Sequence, residues 1–311
     1  MPAISQSVTL LSGGGGGAKL AHGMARAVED LTVVINTADD AVVYGLSVSP
    51  DLDTVMYTLA GEANSVTGWG IEGDTHATIE AMVRLGEDAW FSLGDRDLAT
   101  QIVRSARLRA GAALSEVTAQ FSAALGIGAR LLPMTDERVA TQVDTPAGRL
   151  GFQEYFVAHR HSDKVLGLVF DGVERARPGP GVLAAMTTAD VVVIGPSNPF
   201  VSIGPILAVP GIREALEETP ARRVGVSPIV GGRSLKGPAA AMLAALDHEV
   251  SALGVARLYV GLLDMLVIDE QDQDLVSAIE ALGMSVLVTQ TVLGGADDRE
   301  RLARELLMAA S

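Results

Sequence analysis

The sequence contains no cysteine, which excludes several classes of protein at once. Disulfide scaffolds, thiolate metal sites, iron–sulfur clusters and cysteine nucleophiles all need the missing side chain. Basic residues are also scarce: 23 Lys and Arg stand against 38 Asp and Glu, so the 311-residue chain carries a formal charge of −15. Such a chain lacks the cationic surface that binds duplex nucleic acid, and we predict no nucleic-acid partner.

Long apolar runs are missing too. No basic leader precedes an apolar stretch at the N-terminus, and no apolar run approaches the ~20 residues that span a membrane. We therefore expect a soluble, cytoplasmic protein with no membrane partner. Hydrophobic residues nevertheless make up 48% of the chain, which is enough to bury a large core.

Glycine is abundant, with 34 residues, and it clusters beside apolar strands. The apolar run Val8–Leu11 ends in Ser12 and five glycines, Gly13–Gly17. A helical pattern then leads to Val28, and a second β-branched run covers Leu31–Ile35. This order of strand, glycine loop, helix and strand predicts an α/β fold of Rossmann type, with a mostly parallel sheet and helices on both faces.

The rest of the chain divides into an insertion and a return to the α/β rhythm. Residues 61–184 carry mostly helical spacings, followed by short strand patterns such as Arg138–Val143 and Leu150–Phe156. We predict that they form an insertion subdomain, and that residues 1–60 and 185–311 form the Rossmann-like core. Four late strands are expected in that core, at Asp190–Ile194, Arg223–Val226, Met265–Ile268 and Ser285–Val288.

The glycine loop is the first candidate site. Where a strand passes into a helix, outward-facing N–H groups and the helix dipole favour an anion such as phosphate. The alternative is a tight turn without a ligand. Because five consecutive glycines exceed what a turn needs, we predict nucleotide or phosphate binding by Gly13, Gly14, Gly15, Gly16, Gly17 and Lys19.

Acidic residues follow the second strand. Asp39 and Asp40 come directly after it, and Asp51 and Asp53 begin the next predicted helix. Acids in a first helical turn often serve only as caps. Four acids within fifteen residues, beside a predicted phosphate loop, instead suggest a Mg²⁺ site, because Mg²⁺ binds carboxylates together with phosphate oxygens.

Two later loops and one arginine cluster complete the candidates. Gly195–Pro199 and Ser227–Gly232 follow late strands, so we expect Ser197, Asn198, Ser227 and Gly231 to reach the same nucleotide. Each loop alone would be ordinary turn chemistry. Four arginines are also candidates for gripping phosphate, with local ion pairs as the alternative: Arg96, Arg104, Arg107 and Arg109.

Together these motifs resemble the 2-phospho-L-lactate transferase family of coenzyme F-420 biosynthesis. The matching stretches occur in order over most of the chain: Ser12–Leu20, Asn36–Asp40, Ser49–Thr54, Trp69–Thr75, Leu93–Asp97, Gly195–Pro199, Ser202–Pro205 and Ser227–Gly232. Two positions depart from the family pattern. Gly16 stands where threonine is common, and Ser92 stands where a basic residue that contacts the acceptor is expected.

The resemblance implies a reaction. The family transfers a phosphorylated small acid, derived from lactate, phosphoenolpyruvate or glycerate, from a guanosine diphosphate-activated donor to the deazaflavin alcohol FO. GMP is released, Mg²⁺ is required, and a guanylyltransferase makes the donor from GTP. The resemblance also implies a homodimer and an insertion that helps to bind FO. It places Asp53 near the reacting alcohol, and we expect acceptor binding by Asp53, Ser92, Asp40 and Asn36. We take Asp51 and Asp53 as the catalytic candidates and hypothesise that Asp53 is the general base for the alcohol proton.

Two other functions are weighed against this one. A related group of proteins shares the glycine loop and the paired aspartates but binds nucleotide sugars and regulates carbon metabolism or cell-wall synthesis. In that group a Gly/Ser-rich run usually follows the paired aspartates, whereas Ala41–Gly45 follows here. A NAD-dependent dehydrogenase is disfavoured, because Asn36 replaces the acid that would hold the ribose.

Overall fold

The computed structural model describes residues 3–159 and 163–311. Its strands are numbered in chain order. They are β1 Ile4–Ser12, β2 Val28–Ile35, β3 Ala41–Val43, β4 Leu46–Val48, β5 Arg130–Pro133, β6 Ala140–Thr145, β7 Gly148–Gly151, β8 Gly167–Asp171, β9 Val191–Ile194, β10 Arg222–Val226, β11 Ile229–Val230, β12 Arg233–Ser234, β13 Met265–Asp269 and β14 Ser285–Thr289.

The α-helices are numbered in the same way, and short π- and 3₁₀-helical turns supplement them at Glu154–Ala158, Val173–Arg175, Pro199–Ile203 and Glu270–Leu275. None of the helices in the described ranges is long and apolar enough to cross a membrane. The helices are α1 Gly14–Ala27, α2 Pro50–Leu59, α3 Ala77–Arg84, α4 Asp95–Arg109, α5 Leu114–Ala124, α6 Val182–Thr188, α7 Gly204–Ala208, α8 Ile212–Glu218, α9 Ala239–Ala245, α10 Ala252–Leu258, α11 Val276–Glu280 and α12 Ala296–Ala310.

A parallel sheet forms the centre of the described chain, in the strand order β14-β13-β10-β9-β1-β2-β5. The chain begins in the middle at β1, moves outward to β2 and β5, and then returns to the other side of β1 with β9. The direction of winding thus reverses between β1 and β9. Open α/β sheets bind ligands at the carboxyl ends of the strands on either side of such a reversal. The predicted Rossmann-like α/β fold is confirmed.

The sheet is buried on both faces, as the continuous apolar runs of its strands require. Alternate residues of β1 enter different hydrophobic clusters: Leu10 packs with α1 and α12, and Leu11 packs with α6 and α8. Both side chains are fully buried. Because burial of a leucine side chain stabilises a fold by about 1.5–3 kcal/mol, these two layers hold the carboxyl ends of the strands in fixed positions.

The middle of the chain supplies one strand of this sheet and a separate antiparallel sheet. Arg130–Pro133, inside the stretch assigned to an insertion, is β5 and pairs with β2. The antiparallel sheet has the order β7-β6-β8, and Thr141 N–H donates to Ala38 O (2.7 Å), directly after β2. This bond brings the small sheet against the carboxyl edge of the large one.

The late core strands are confirmed to within one residue of their predicted bounds. The strand predicted at Leu150–Phe156 is wrong beyond Gly151, because the chain turns helical there. Phe152 and Phe156 lie one helical turn apart, and their rings stack with centroids 5.5 Å apart. Aromatic packing at helical spacing has therefore overridden the strand preference of these residues.

Candidate active site

Three of the five loop glycines are required by close packing. A Cβ on Gly13 would lie 2.6 Å from Ser202 Cβ, and one on Gly16 would lie 2.3 Å from Pro196 O. A Cβ on Gly17 would lie 2.3 Å from Ser12 Oγ. No side chain fits at such distances. The loop after β9 therefore packs directly on the glycine loop, and packing accounts for part of the glycine run.

Gly14 and Gly15 differ from these three. Gly14 has φ +63°, a backbone conformation that other residues rarely adopt. Its N–H donates to Asp51 Oδ1 (2.7 Å). At Gly15, by contrast, a Cβ would make only an ordinary 3.6 Å contact with Gly68 O, and φ is not positive. Packing does not require glycine at this position, and the absence of a side chain leaves the backbone open to close approach.

Asp51 and Asn36 link the glycine loop to the end of β2. Asn36 is fully buried, and its Nδ2 donates to Asp51 Oδ2 (2.9 Å) and to Val201 O (3.2 Å). Asn36 Oδ1 accepts from Ala38 N–H (3.0 Å). Asn36 thus braces Asp51 between two loops. Burial raises the pKa of Asp51 to about 6, although the hydrogen bonds from Asn36 Nδ2 and Gly14 N–H oppose the rise.

A cleft of about 530 Å³, here called the acidic cleft, opens beside Asp39 and Asp40. Oδ1 of each of these aspartates is buried and makes no hydrogen bond within the described residues. Burial raises the pKa of Asp39 well above its usual range, and the nearby charge of Asp51 adds to the rise. Burial also raises the pKa of Asp40, whose Oδ2 accepts from Ser49 Oγ (2.6 Å).

These carboxylates fit a divalent cation in their chemistry. Asp39 and Asp40 present unpaired buried oxygens, which a hard cation satisfies, and a cation would restore ionised carboxylates by lowering their pKa values. Within residues 3–159 and 163–311, however, no group of three or more acidic, His or Cys side chains has the arrangement of a metal site. The protein would supply two carboxylate ligands, leaving other positions to phosphate oxygens and water, as is usual for Mg²⁺.

Asp53 is held in a buried network of its own, although its charge still acts on Asp40. Arg104 contacts both oxygens of Asp53, and Gln101 Nε2 donates to Asp53 Oδ2 (2.9 Å). Gln101 Nε2 and the Tyr57 hydroxyl also donate to Asp97 Oδ1, at 2.8 and 2.9 Å. Asp53 is therefore paired within the protein, and within the described residues the four acids predicted as metal ligands do not form a group arranged to hold a metal. Their assignment to Mg²⁺ stays a prediction.

The predicted arginine cluster is dispersed over separate contacts. Arg96 pairs with Asp74 at 3.7 Å, Arg109 donates to Gly45 O, and Arg107 lies 5.4 Å from the centre of the Phe121 ring. Arg104 is taken up by Asp53. Each of the four arginines therefore makes a local contact, with Arg104 and Arg107 both beside the Phe121 ring, and their role in phosphate binding stays a prediction.

The two late loops are shaped by their own polar residues. Ser197 Oγ accepts from Gly13 N–H (3.2 Å) and donates to Gly13 O (2.8 Å), which joins this loop to the glycine loop. Asn198 Oδ1 caps the next helical turn through Phe200 N–H (2.9 Å). Ser227 Oγ closes a turn with Ile229, and Gly231 N–H donates to Asp272.

Two predicted site residues occupy contrasting positions. Lys19 is half-buried on α1, one turn beyond the loop, and its Nζ donates to Leu293 O (2.9 Å). Ser92 is exposed between Phe91 and Leu93, both buried, and it is not among the described residues that line the acidic cleft. The assignment of Ser92 to acceptor binding stays a prediction.

Several residues that line the acidic cleft are not predicted from the sequence. Asp136, Glu137 and Arg138 follow β5, at the same sheet edge as Asp39. Gln153 Nε2 donates to Asp39 O (2.9 Å) and closes the cleft on one side. Recognising Arg130–Pro133 as the third strand of the sheet would have placed the residues after it at the carboxyl edge. Ligands bind at that edge in open α/β sheets, so these residues would then have been candidates.

The family model described as 2-phospho-L-lactate transferase CofD matches residues 8–292. A phosphoenolpyruvate transferase of Streptomyces griseus is 45% identical over 311 residues, covering 97% of this chain and 98% of that protein. A 2-phospho-L-lactate transferase of Methanosarcina mazei is 41% identical over 302 residues, covering 96% and 99%.

A crystal structure of a UPF0052 family member from Bacillus halodurans has the same fold. Its TM-score is 0.65 at 18% identity, and the match covers 98% of this chain and 100% of that one. At this identity the likeness concerns the fold alone, whereas the family model and the curated relatives span nearly the whole chain. The chain therefore belongs to the 2-phospho-L-lactate transferase family.

Proposed function

We propose that this protein is a transferase of coenzyme F-420 biosynthesis that joins a phosphorylated small acid to FO. The donor is the acid activated as a guanosine diphosphate derivative, made by a partner guanylyltransferase, and GMP is the second product. The acid is of the lactate, phosphoenolpyruvate or glycerate type. We propose that the enzyme acts in the cytoplasm as a homodimer with Mg²⁺.

One observation carries this proposal: Asp51 joins a glycine loop suited to phosphate to a cleft suited to a planar acceptor. Asp51 accepts from Gly14 N–H and from Asn36 Nδ2. Asn36 Oδ1 in turn accepts from the N–H of Ala38, which lines the acidic cleft. The volume of about 530 Å³ is within the range of pockets for small organic ligands. Trp90 and Phe152 give the cleft aromatic surface for a flat ring system.

The bond changes follow from this arrangement. The alcohol oxygen of FO forms a bond to the phosphorus that carries the acid, and the bond from that phosphorus to the GMP oxygen breaks. The electron pair of the broken bond leaves with GMP. Positioning and charge neutralisation dominate such transfers, so side chains that orient the two substrates supply most of the catalysis. Mg²⁺, held by Asp39 with Asp51, would supply positive charge beside the phosphate oxygens.

We assign the alcohol proton to Asp40 rather than to Asp53. Oδ1 of Asp40 has no hydrogen-bond partner within the described residues, and Asp40 lines the cleft. Asp53 is occupied by Arg104 and Gln101 and lies outside the described cleft lining. Because a base with a raised pKa takes a proton more readily, burial suits Asp40 to this role, while the nearby charge of Arg104 favours its ionised form.

The alternative function is a nucleotide-sugar-binding regulator on the same fold. It would use the glycine loop but would need no acceptor cleft with an unpaired carboxylate. Thermal-shift measurements with FO, GMP and UDP-N-acetylglucosamine separate the two. The transferase proposal predicts that FO and GMP each raise the melting temperature. Stabilisation by UDP-N-acetylglucosamine alone would support the regulator instead.

A further inference from the structure

Three basic side chains lie close together near the glycine loop, and we call them the cation cluster: Lys19, Lys236 and Arg299. Lys19 Nζ donates to Leu293 O (2.9 Å), and Arg299 Nε donates to the adjacent Gly294 O (3.2 Å). These neighbouring acceptors bring the first two cations side by side.

Lys236 is the third member of the cation cluster and lies beside Gly68. Its Nζ donates to Val66 O at the long distance of 3.5 Å, and it would lie 3.2 Å from a Cβ on Gly68. The carbonyl of Gly68 lies over Gly15, 3.6 Å from where a Cβ would be. Lys236 is exposed, and its long side chain can move from this weak acceptor to a stronger one.

The cation cluster is not neutralised by ion pairs in the described part of the chain. None of its three members forms an ion pair with a carboxylate there, although the protein as a whole carries a charge of −15. Burial and the positive charges of Arg299 and Lys236 lower the pKa of Lys19. Uncompensated cations beside the free N–H groups of a first helical turn favour binding of a dianion.

We propose that Lys19, Lys236 and Arg299 hold the phosphate of the leaving nucleotide, a residue assignment that rests on the proposed function and extends it. The described lining of the acidic cleft includes none of the three cations, so the cation cluster is separate from the proposed acceptor site. The phosphorus under attack faces the carboxylates. When the bond breaks, negative charge develops on the phosphate oxygen of GMP, and the three cations stabilise that charge.

Isothermal titration calorimetry with GMP and with guanosine tests this assignment. Lys236→Ala is the decisive variant, because an exposed lysine can be removed without disturbing the core; Arg299→Ala is the second. Arg233→Ala is the matched control, since it removes one exposed positive charge from the preceding hairpin. GMP affinity should fall about tenfold or more in the first two and stay unchanged in the control. Guanosine affinity should be the same in all.

The outcomes separate this inference from the function on which it rests. If the wild-type protein binds GMP and Lys236→Ala and Arg299→Ala bind it equally well, the cation cluster does not hold the leaving phosphate, and the transferase proposal stands. If the wild-type protein binds neither GMP nor FO, the transferase proposal fails, and this inference with it. An equal loss of GMP affinity in Arg233→Ala would indicate general charge attraction and overturn the assignment.

Discussion

Arg104 grips both carboxylate oxygens of Asp53, and the two side chains are only 3% and 7% exposed. The two residues lie 51 positions apart in the chain, on α4 and α2. The pair fixes the helices that flank the acidic cleft. It also pairs Asp53, the aspartate that the family resemblance places near the reacting alcohol, with a buried positive charge.

Arg104→Ala should lower the free energy of unfolding by about 3–5 kcal/mol, because it leaves the Asp53 carboxylate buried without a partner. Urea unfolding measures this. Arg96→Ala is the control: Arg96 also pairs with an aspartate, at 3.7 Å, but is 54% exposed, so its loss should cost at most about 1 kcal/mol. Equal stability of Arg104→Ala and the wild-type protein would contradict the description of this pair.

Gly15→Ala and Gly16→Ala should separate ligand contact from packing. The added methyl group of Gly15→Ala has room, so stability should stay within about 1 kcal/mol, while GMP affinity falls because the methyl group blocks close approach to the loop. Gly16→Ala would place its Cβ 2.3 Å from Pro196 O and should destabilise the fold by about 1–3 kcal/mol. Thermal unfolding and GMP titration report both effects. Normal GMP affinity in Gly15→Ala would remove Gly15 from the site.

Asp40→Asn should lower kcat by about 10²–10⁴-fold with a smaller change in KM, since it removes the proposed proton acceptor. Ser49→Ala is a useful companion, because it deletes only the 2.6 Å hydrogen bond to Asp40 Oδ2. Its activity should stay within about tenfold of wild type. A near-normal kcat in Asp40→Asn would return the role of base to another group.

Asp97→Asn should change how stability depends on pH. Burial, with the nearby Asp53 charge, raises the pKa of Asp97 to about 6 from an ordinary value of 3.8. The contribution of Asp97 to the free energy of unfolding of the wild-type protein is therefore fully present below about pH 4, and it is lost as the pH rises through 6. Relative to wild type, the variant should gain up to about 3 kcal/mol between pH 4 and 7 in urea unfolding.

The opposite trend at Asp95 provides the control for that experiment. Hydrogen bonds from Thr75 and Thr78 hold the pKa of Asp95 below its usual range. Its contribution is present above the ordinary pKa and is lost as pH falls, so Asp95→Asn should lose stability at neutral pH and little at low pH. The same pH trend in both variants would contradict the assigned environments.

The sequence predicts the part of the fold where local patterns and their tertiary roles agree. The first strand, helix and strand are predicted by the apolar run Val8–Leu11, the glycines and the apolar run Leu31–Ile35. These apolar runs are recognisable because a buried parallel strand is apolar on both faces. The edge strand Arg130–Pro133 is not recognised, since four residues with an arginine and a proline carry little strand signal. With that strand, the cleft residues after it are missed as well.

Site chemistry is predicted less completely than the fold, because it depends on contacts between distant residues. Asp51 and Asp53 are two positions apart in the sequence, which suggests that they act together. In the structure, however, Asp51 accepts hydrogen bonds from Gly14 and Asn36, whereas Asp53 pairs with Arg104. Likewise, close packing explains most of the glycine run. Only the three-dimensional structure identifies these partners, because no regular sequence spacing relates residues of α2 to residues of α4.

The most direct test of the proposed function is product mass after incubation of the protein with FO, GTP, Mg²⁺, a guanylyltransferase and each candidate acid in turn. The account predicts that one acid gives a new product with the mass of FO plus the phosphorylated acid minus water, and that an equal amount of GMP appears. No such product with any of the three acids, although FO and GMP bind, would contradict it.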